Sequence, residues 1–572
     1  MNKKFGKKEN LIQNAVFALL MAATAVFLVW KCKFGFANMD ESLYVAIPYR
    51  FWQGDGMFIN EWNLSSFSSI LFMPLMYIYM AITGTTEGIL LNFRYIYVAV
   101  QAIVAVYLYF RLKRYNWIAA VTAAISFFMY APFSIMALSY NSIGIQCMAV
   151  ASVTLLTNDK GRKLPYIVSG VLFAAAVLCC PFLVIGYVLY TAVVVYGMVK
   201  KAVFELEVLQ KENWLWITSG VVFLAVIFLG FSLSRASVGD IIVALQWMLN
   251  DPQHQSVAFT VTVKKYIVGI LKNSSVSLYL FAAFAALAVV TKFTCKISKT
   301  IFFCIAAFLT GLMMLPFVTT KLYINYTMFP VNVMALYCLT LTENSLVKRI
   351  FKLVWIPGAV YSFCIHLASN QGFYNISSVF TVSLMGSIVI VVLTAAELLD
   401  KSTVNIFRLA TLAAVSALLL MQVLCVFYTR HQQVFWESGR QSQKILITQG
   451  PEKGILASEH RAEPYEEFMQ DAQQLWGDET PDSVLYLSQD TWMYLVTEDS
   501  RMATFSPWMP GADEGEMKNS MDRLDIYFQT NPEQMPDTVY ALEEHHGFAA
   551  EFAQKYGYNE IQTANGNFVY TR

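Results

Sequence analysis

Residues 11–46 read LIQNAVFALLMAATAVFLVWKCKFGFANMDESLYVA. The first twenty, Leu11 to Trp30, form an apolar run long enough to cross a bilayer, and it ends at Lys31 without a small-residue cleavage site. The run therefore reads as a retained anchor rather than a leader. About ten residues further on, Asp40 and Glu41 open an amphipathic stretch, which places two carboxyls at the mouth of a spanning helix.

Working outward, the same kind of segment recurs through most of the 572 residues. Hydrophobic residues make up 57% and charged residues 14%, with mean hydropathy +0.50, against about 45–50% and roughly 25% in soluble domains. These values exclude an ordinary soluble protein. Thirteen spanning helices are predicted near 11–30, 90–110, 117–137, 141–157, 164–179, 181–199, 214–233, 274–291, 300–318, 322–341, 350–368, 376–396 and 404–427. The run 164–199 is too long for one crossing and breaks at Pro181, which removes a helical hydrogen bond. The stretch 67–82 is placed in the interface, because that choice puts 21 of the 30 basic residues of the body on the cytoplasmic side and nine outside. The N-terminus is then cytoplasmic and the C-terminal region extracytoplasmic.

Charge divides the chain in two. Residues 1–427 carry a net +15 and residues 428–572 a net −14, so a transmembrane domain (1–427) is followed by a soluble acidic domain (428–572). The body has two long outer loops, 31–89 with two amphipathic stretches and 234–273 with one, all expected to float at the lipid surface. The acidity of the second domain argues against a nucleic-acid partner. It contains none of the nine cysteines, and its alternation of apolar strands (Ser483 to Leu487, Thr538 to Ala541) with helical stretches predicts a small α/β layer. Its last residues, Tyr558 to Arg572, read as a hairpin turning on Asn565-Gly566 in a type I′ turn. The expected architecture is a polytopic α-helical membrane protein with a C-terminal extracytoplasmic α/β domain.

With this topology the outer acids of the body are Asp40, Glu41, Asp55, Glu61, Glu87, Asp240 and Asp251. A carboxylate held at the outer membrane face can act as a base on a hydroxyl while lipid limits the access of water. The alternative for Asp40 is that it caps the interfacial helix. Arg94 and Lys321 stand at helix mouths, where they either hold an anion or anchor the helix in the interface. No ligand spacing supports a metal. A divalent cation on the first-loop acids, or on Asp251 with His254, is possible but not favoured, and no cofactor is expected.

The sequence resembles the GT-C superfamily of membrane glycosyltransferases, in particular the branch of protein O-mannosyltransferases and lipid A aminoarabinose transferases. The resemblance covers about residues 11–341. It is carried by Asp40-Glu41, by Gly54-Asp55-Gly56 to Glu61-Trp62, by Pro74-Leu75, by Arg94, and by Lys321-Leu322-Tyr323 through Phe329-Pro330. The chain has the lone Pro74 where such families have a proline pair, and Lys321 where arginine is common. The resemblance implies transfer of a sugar from a polyprenyl-phosphate carrier to an acceptor on the outer face, whether a cell-envelope glycan, lipid or protein. It makes Asp40 the catalytic base and Glu41 a supporting carboxylate, with Glu61, Arg94, Lys321 and Tyr323 on the substrate. A single base suggests inversion at the sugar carbon. The alternatives are a transporter or flippase of lipid-linked sugars, which would place ionisable groups near the midplane, and a noncatalytic surface-anchored binding protein, for which thirteen helices are far more than anchoring needs.

The orientation is testable because the C-terminal domain has no cysteine of its own. Cysteines introduced there should react with an impermeant thiol reagent on intact cells; labelling that requires lysis would reverse the topology.

Overall fold

The computed structural model describes residues 7–36, 38–201, 204–249, 258–272, 275–293, 299–319, 329–368, 380–434, 437, 439–477, 479–488, 490–504, 514–563 and 565–572. Helix α1 (Lys7–Lys31) is followed by the outer-loop helices α2 (Asn38–Gln53) and α3 (Met73–Thr83). Six apolar helices come next: α4 (Ile89–Leu112), α5 (Trp117–Met129), α6 (Tyr140–Leu156), α7 (Lys163–Cys179), α8 (Val184–Lys200) and α9 (Lys211–Leu233). The second long loop carries α10 (Val238–Leu249) and α11 (Phe259–Lys272). The remaining apolar helices are α12 (Ser275–Phe293), α13 (Lys299–Thr319), α14 (Phe329–Leu341), α15 (Ser345–Ala368), α16 (Thr381–Lys401) and α17 (Asn405–Gln432). Among the described residues each predicted span overlaps a helix, and seven helices are individually long and apolar enough to cross a membrane. The chain is a multi-pass α-helical membrane protein with a C-terminal sheet domain.

Local chemistry explains several boundaries. Asn116 accepts from the Ile118 and Ala119 amides to start α5, and Ser139 with Ser142 forms a reciprocal capping box at the start of α6. The break between α7 and α8 falls at Pro181. Helices α7 and α9 approach closely because Gly170 and Gly220 face each other's backbone: a Cβ on Gly170 would lie 2.0 Å from the Ile217 carbonyl oxygen, and one on Gly220 would lie 2.1 Å from that of Ile167. Helix α3 has eleven residues, about 16 Å, too short to cross, and it exposes Tyr77, Ile78 and Ile82 as an interfacial helix would.

Charged groups from four predicted inner loops meet on one face of the bundle. Arg114 pairs with Asp159, and Arg349 with Asp159 at 3.2 Å and Glu207 at 3.6 Å. At the opposite end the 31–89 loop meets the C-terminal domain: the Gly35 amide donates to the Leu456 carbonyl at 2.9 Å, and the Leu456 amide to the Lys33 carbonyl at 2.7 Å.

In the C-terminal domain, β1 (Ile445–Leu446) and β2 (Leu456–Ala457) form a short antiparallel ladder. A mixed sheet contains β3 (Ser483–Leu487), β4 (Arg501–Met502), β5 (Thr538–Ala541), β6 (Asn559–Gln562) and β7 (Phe568–Thr571), ordered β4-β3-β5-β7-β6. The strands expected from apolar runs, β3 and β5, are parallel neighbours with every residue buried. Helices α18 (Glu459–Trp476), α19 (Glu514–Thr530) and α20 (His546–Tyr556) complete the layer. The final hairpin differs from the type I′ expectation. Its closing pair is Thr563 and Asn567, with the Thr563 amide donating to the Asn567 carbonyl at 2.8 Å, so three residues form the loop and Gly566 takes φ +83°. The Asn565 side chain is drawn away to donate to Asp471 at 3.0 Å.

Two expectations about the body need correction. The span predicted over 117–137 is α-helical only to Met129; Tyr130 to Leu138 leaves the α-helix and, half-buried Ser134 apart, is buried, with Phe133 and Ser134 at positive φ. Its carbonyls are satisfied from neighbouring helices: Tyr97 donates to Tyr130 at 2.8 Å, and Arg430 donates to Met129 and Ala131 at 3.0 and 2.9 Å. Further, α2 does not float on lipid but is roofed by the C-terminal domain. Ser42 shares a hydrogen bond with Thr491 at 2.7 Å, while Tyr49 and Gln53 donate to the Glu498 carbonyl at 2.7 and 2.9 Å. Amphipathic spacing marks a face to be covered but does not say whether lipid or protein covers it.

Arg50 is the centre of this junction. Fully buried, it pairs with Asp55 and with Glu61 at 3.2 Å, and donates to the Thr504 carbonyl, the Met502 carbonyl at 3.1 Å and the Tyr527 hydroxyl at 3.2 Å. Arg50→Met leaves two buried carboxylates uncompensated, a cost of about 3 kcal/mol or more. Hydrogen exchange of the amides in 56–61 should accelerate by about 10²-fold; unchanged exchange would show that the junction is held without Arg50.

Candidate active site

The acid pair that opens α2 is divided by the helix geometry. Successive helical residues point about 100° apart, so Asp40 and Glu41 face different neighbours. Glu41 is buried and meets Arg94 of α4 in a two-pronged ion pair, with Nε to Oε1 at 2.5 Å and Nη2 to Oε2 at 2.6 Å. Arg94 also donates to the carbonyls of Cys32 at 2.6 Å and Gly35 at 2.7 Å. Four of its five N–H donors are thereby committed. The pair ties the start of α2 and the 32–35 segment to α4.

Asp40 is half-buried and is the third residue of α2, inside the helix rather than at the position before it. Its charge acts on Tyr44 and Tyr140, whose rings pack edge-to-face at 5.6 Å and whose hydroxyls hydrogen-bond with each other and with Asn141. Burial, reinforced by the Asp40 carboxylate, pushes the Tyr44 hydroxyl well above its usual range. That hydroxyl therefore stays protonated and available as a hydrogen-bond donor at neutral pH.

The other acids predicted to lie outside have defined partners. Asp55 and Glu61 bind Arg50, Glu61 also accepts from the Asn63 amide at 2.9 Å, and Glu87 pairs with Lys453 at 2.9 Å. Asp240 accepts from the Ser237 amide at 2.8 Å while its own amide donates to the Ser237 hydroxyl at 3.2 Å, a reciprocal capping box that starts α10. Glu61, expected on the substrate, is thus fully buried in the Arg50 junction. Lys321, Tyr323, Asp251 and His254 lie outside the described residues. Among the described residues no three His, Cys, Asp or Glu side chains converge as a metal site would require. His546 contacts Glu560 at 3.2 Å and stacks on Phe568.

A small cavity lies on the Glu41 side of the pair, lined by Lys31, Gly35, Glu41, Arg94, Gln433 and the irregular segment around Ile135. Lys31 and Gln433 carried no signal in the sequence. A lysine closing an apolar helix reads as an interfacial anchor, and only the packing of α1 against α17 and the C-terminal domain buries it.

No family model matches the chain, and no curated protein matches it. Among solved structures it is similar to the oligosaccharyltransferase AglB from Archaeoglobus fulgidus in complex with an inhibitory peptide and a dolichol-phosphate. That likeness has 12% identity and TM-score 0.48 over 98% of this chain and 74% of that one. It is also similar to ArnT from Cupriavidus metallidurans bound to undecaprenyl phosphate, with 10% identity and TM-score 0.44 over 99% of this chain and 98% of that one.

The Glu41–Arg94 coupling is measurable by a double-mutant cycle on thermal unfolding. Arg94→Met strands a buried carboxylate and should cost about 3–5 kcal/mol. Arg94→Met combined with Glu41→Met should recover at least ~1 kcal/mol of that loss, whereas additive losses would mean that the two side chains are not coupled.

Proposed function

We propose that the chain is a membrane glycosyltransferase of the GT-C type. It moves a sugar from a polyprenyl-phosphate carrier to an acceptor hydroxyl on the extracytoplasmic face, with inversion and with Asp40 as base. The observation that supports this most is the separation of roles within the outer acids. Glu41, Asp55, Glu61, Glu87 and Asp240 serve arginine, lysine or a helix start, and Asp40 is half-buried with its charge acting on Tyr44 and Tyr140.

In this reading the Asp40 carboxylate accepts the proton of the acceptor hydroxyl as its oxygen attacks the sugar carbon attached to phosphate. The carbon–oxygen bond to the phosphate breaks, and its electron pair leaves with the carrier. Phosphate is a good leaving group, so the reaction needs a base and nearby cations more than a general acid. Glu41 supports Asp40 indirectly, by locking the first turn of α2 onto Arg94. Arg94 offers the departing phosphate its charge and its one remaining N–H, and Lys321 and Tyr323 belong to the donor side. The extracytoplasmic C-terminal domain holds α2 in place from above through Ser42, Tyr49 and Arg50.

Purified protein incubated with a panel of polyprenyl-phosphate sugars should release free lipid phosphate with one of them. Asp40→Asn keeps the shape of the side chain but removes its basicity, so folded variant should lose at least ~10²-fold in transfer rate while still binding the donor. Wild-type transfer by that variant would remove Asp40 as the base.

A further inference from the structure

The two ends of α1 meet different surroundings. With 25 residues the helix is about 37 Å long, so Lys8 and Glu9 lie at the membrane face opposite Glu41 and Arg94, which sit at its Cys32 end. Between this first end of α1 and the start of α5 runs a groove of ≈ 450 Å³, lined by Lys8, Glu9, Ile12, Gln13, Val16 and Trp117. Its size falls within the range of small-molecule sites, about 300–1,000 Å³.

Polarity decreases with depth along the groove. Lys8, Ile12 and Val16 follow one another at four-residue steps on one row of α1, and Glu9 and Gln13 on the next. Lys8 and Glu9 are exposed at the rim, Ile12 and Val16 are exposed further in, and half-buried Trp117, a residue type favoured at headgroup level, belongs to α5. Gln13, one turn in from Glu9, is 4% exposed, and its Oε1 accepts no hydrogen bond among the described residues. The adjacent Asn14 is satisfied in full by protein, its Oδ1 accepting from the Tyr109 hydroxyl at 3.1 Å and from Lys113 Nζ at 2.6 Å. A buried acceptor without a donor carries an uncompensated desolvation cost, and the groove that Gln13 lines is the space from which a donor can reach it.

We propose that this groove holds one phospholipid whose headgroup carries a primary amine, in the leaflet opposite the candidate active site. Charge complementarity selects this occupant. Lys8 meets the lipid phosphate, Glu9 meets the ammonium, an ammonium N–H supplies the donor that the Gln13 oxygen lacks, and an acyl chain lies along Ile12, Val16 and Trp117. A choline headgroup has no N–H or O–H to give Gln13. A glycerol headgroup leaves Glu9 facing a lipid of net negative charge. The site is at the other end of α1 from the transfer chemistry and does not depend on that reading.

The test is thermal unfolding of the full chain in neutral detergent, titrated with short-chain phosphatidylethanolamine, phosphatidylcholine or phosphatidylglycerol of the same acyl length. Phosphatidylethanolamine should raise Tm saturably by about 2 °C or more beyond phosphatidylcholine, and should half-saturate at a concentration at least ~5-fold below that of either other lipid. Gln13→Leu, which keeps the bulk of the side chain and removes the amide, should abolish the excess over phosphatidylcholine. Glu9→Gln, at the exposed rim, should raise the half-saturating concentration of phosphatidylethanolamine several-fold and leave that of phosphatidylcholine unchanged. Equal effects of phosphatidylethanolamine and phosphatidylcholine would show that any acyl chain fills the groove, and would overturn the site. So would a preference for phosphatidylglycerol, an equal excess in wild type and Gln13→Leu, or an effect seen only after deletion of residues 2–6, which would make the chain's own start the occupant. If Gln13→Leu does not fold, Glu9→Gln decides, and an unchanged half-saturating concentration overturns the proposal.

Discussion

The two-pronged bond between Glu41 and Arg94 fixes the geometry on which the candidate site depends. Each partner is buried, so neither charge is tolerable without the other. Because Arg94 also holds the carbonyls of Cys32 and Gly35, one guanidinium registers the end of α1, the start of α2 and the body of α4 together. Asp40 inherits its position from that registration: one residue before Glu41 on the helix, it is turned toward Tyr44 and Tyr140. Adjacent carboxyls thus meet different surroundings, Glu41 a two-pronged arginine and Asp40 a pair of tyrosines.

A second constraint comes from backbone hydrogen bonding at membrane depth. Once α5 ends at Met129, the chain to Leu138 must have its polar groups satisfied by protein, because lipid offers none. Tyr97, Gln101 and Arg430 supply donors, and a Gln146–Gln101 hydrogen bond at 2.7 Å extends the network between α4 and α6. The irregular segment is thereby kept rigid enough to line the cavity beside Glu41. The C-terminal domain does the same for α2 from the other side, replacing lipid or water with a protein roof fastened at Arg50. Body and domain therefore build the site jointly, although charge and hydropathy separate them in the sequence.

Much of the architecture is legible in the sequence because hydrophobic length is a one-dimensional property. The runs that became α1, α4, α9, α16 and α17, the break at Pro181 and the buried strands β3 and β5 each follow from apolar length and punctuation within one segment. The acid pair 40–41 stands out for the same reason, as two charges just past a spanning run. Which of the two faces Arg94 depends on the rotation of α2, and that rotation is set by residues more than fifty positions away. The same limit explains why the irregular stretch after Met129 read as helix, since its sequence is apolar throughout while its carbonyl partners come from α4 and α17. It explains the hairpin as well, where Asp471 captures the Asn565 side chain across the domain.

The sequence by itself therefore determined a polytopic helical body, an acidic α/β domain and a short set of outer acids, because burial in lipid and solvation in water are read residue by residue. Only the tertiary structure decided what each of those charges does. Glu41 and Glu61 are consumed by Arg94 and Arg50, Lys31 and Arg430 are buried without a carboxylate partner among the described residues, and α2 lies under protein instead of on lipid. The physical reason is that the energy of a charge in a low-dielectric interior is set by which opposite charge and which hydrogen-bonding groups lie within a few ångströms. In this fold those neighbours come from distant helices and from the other domain.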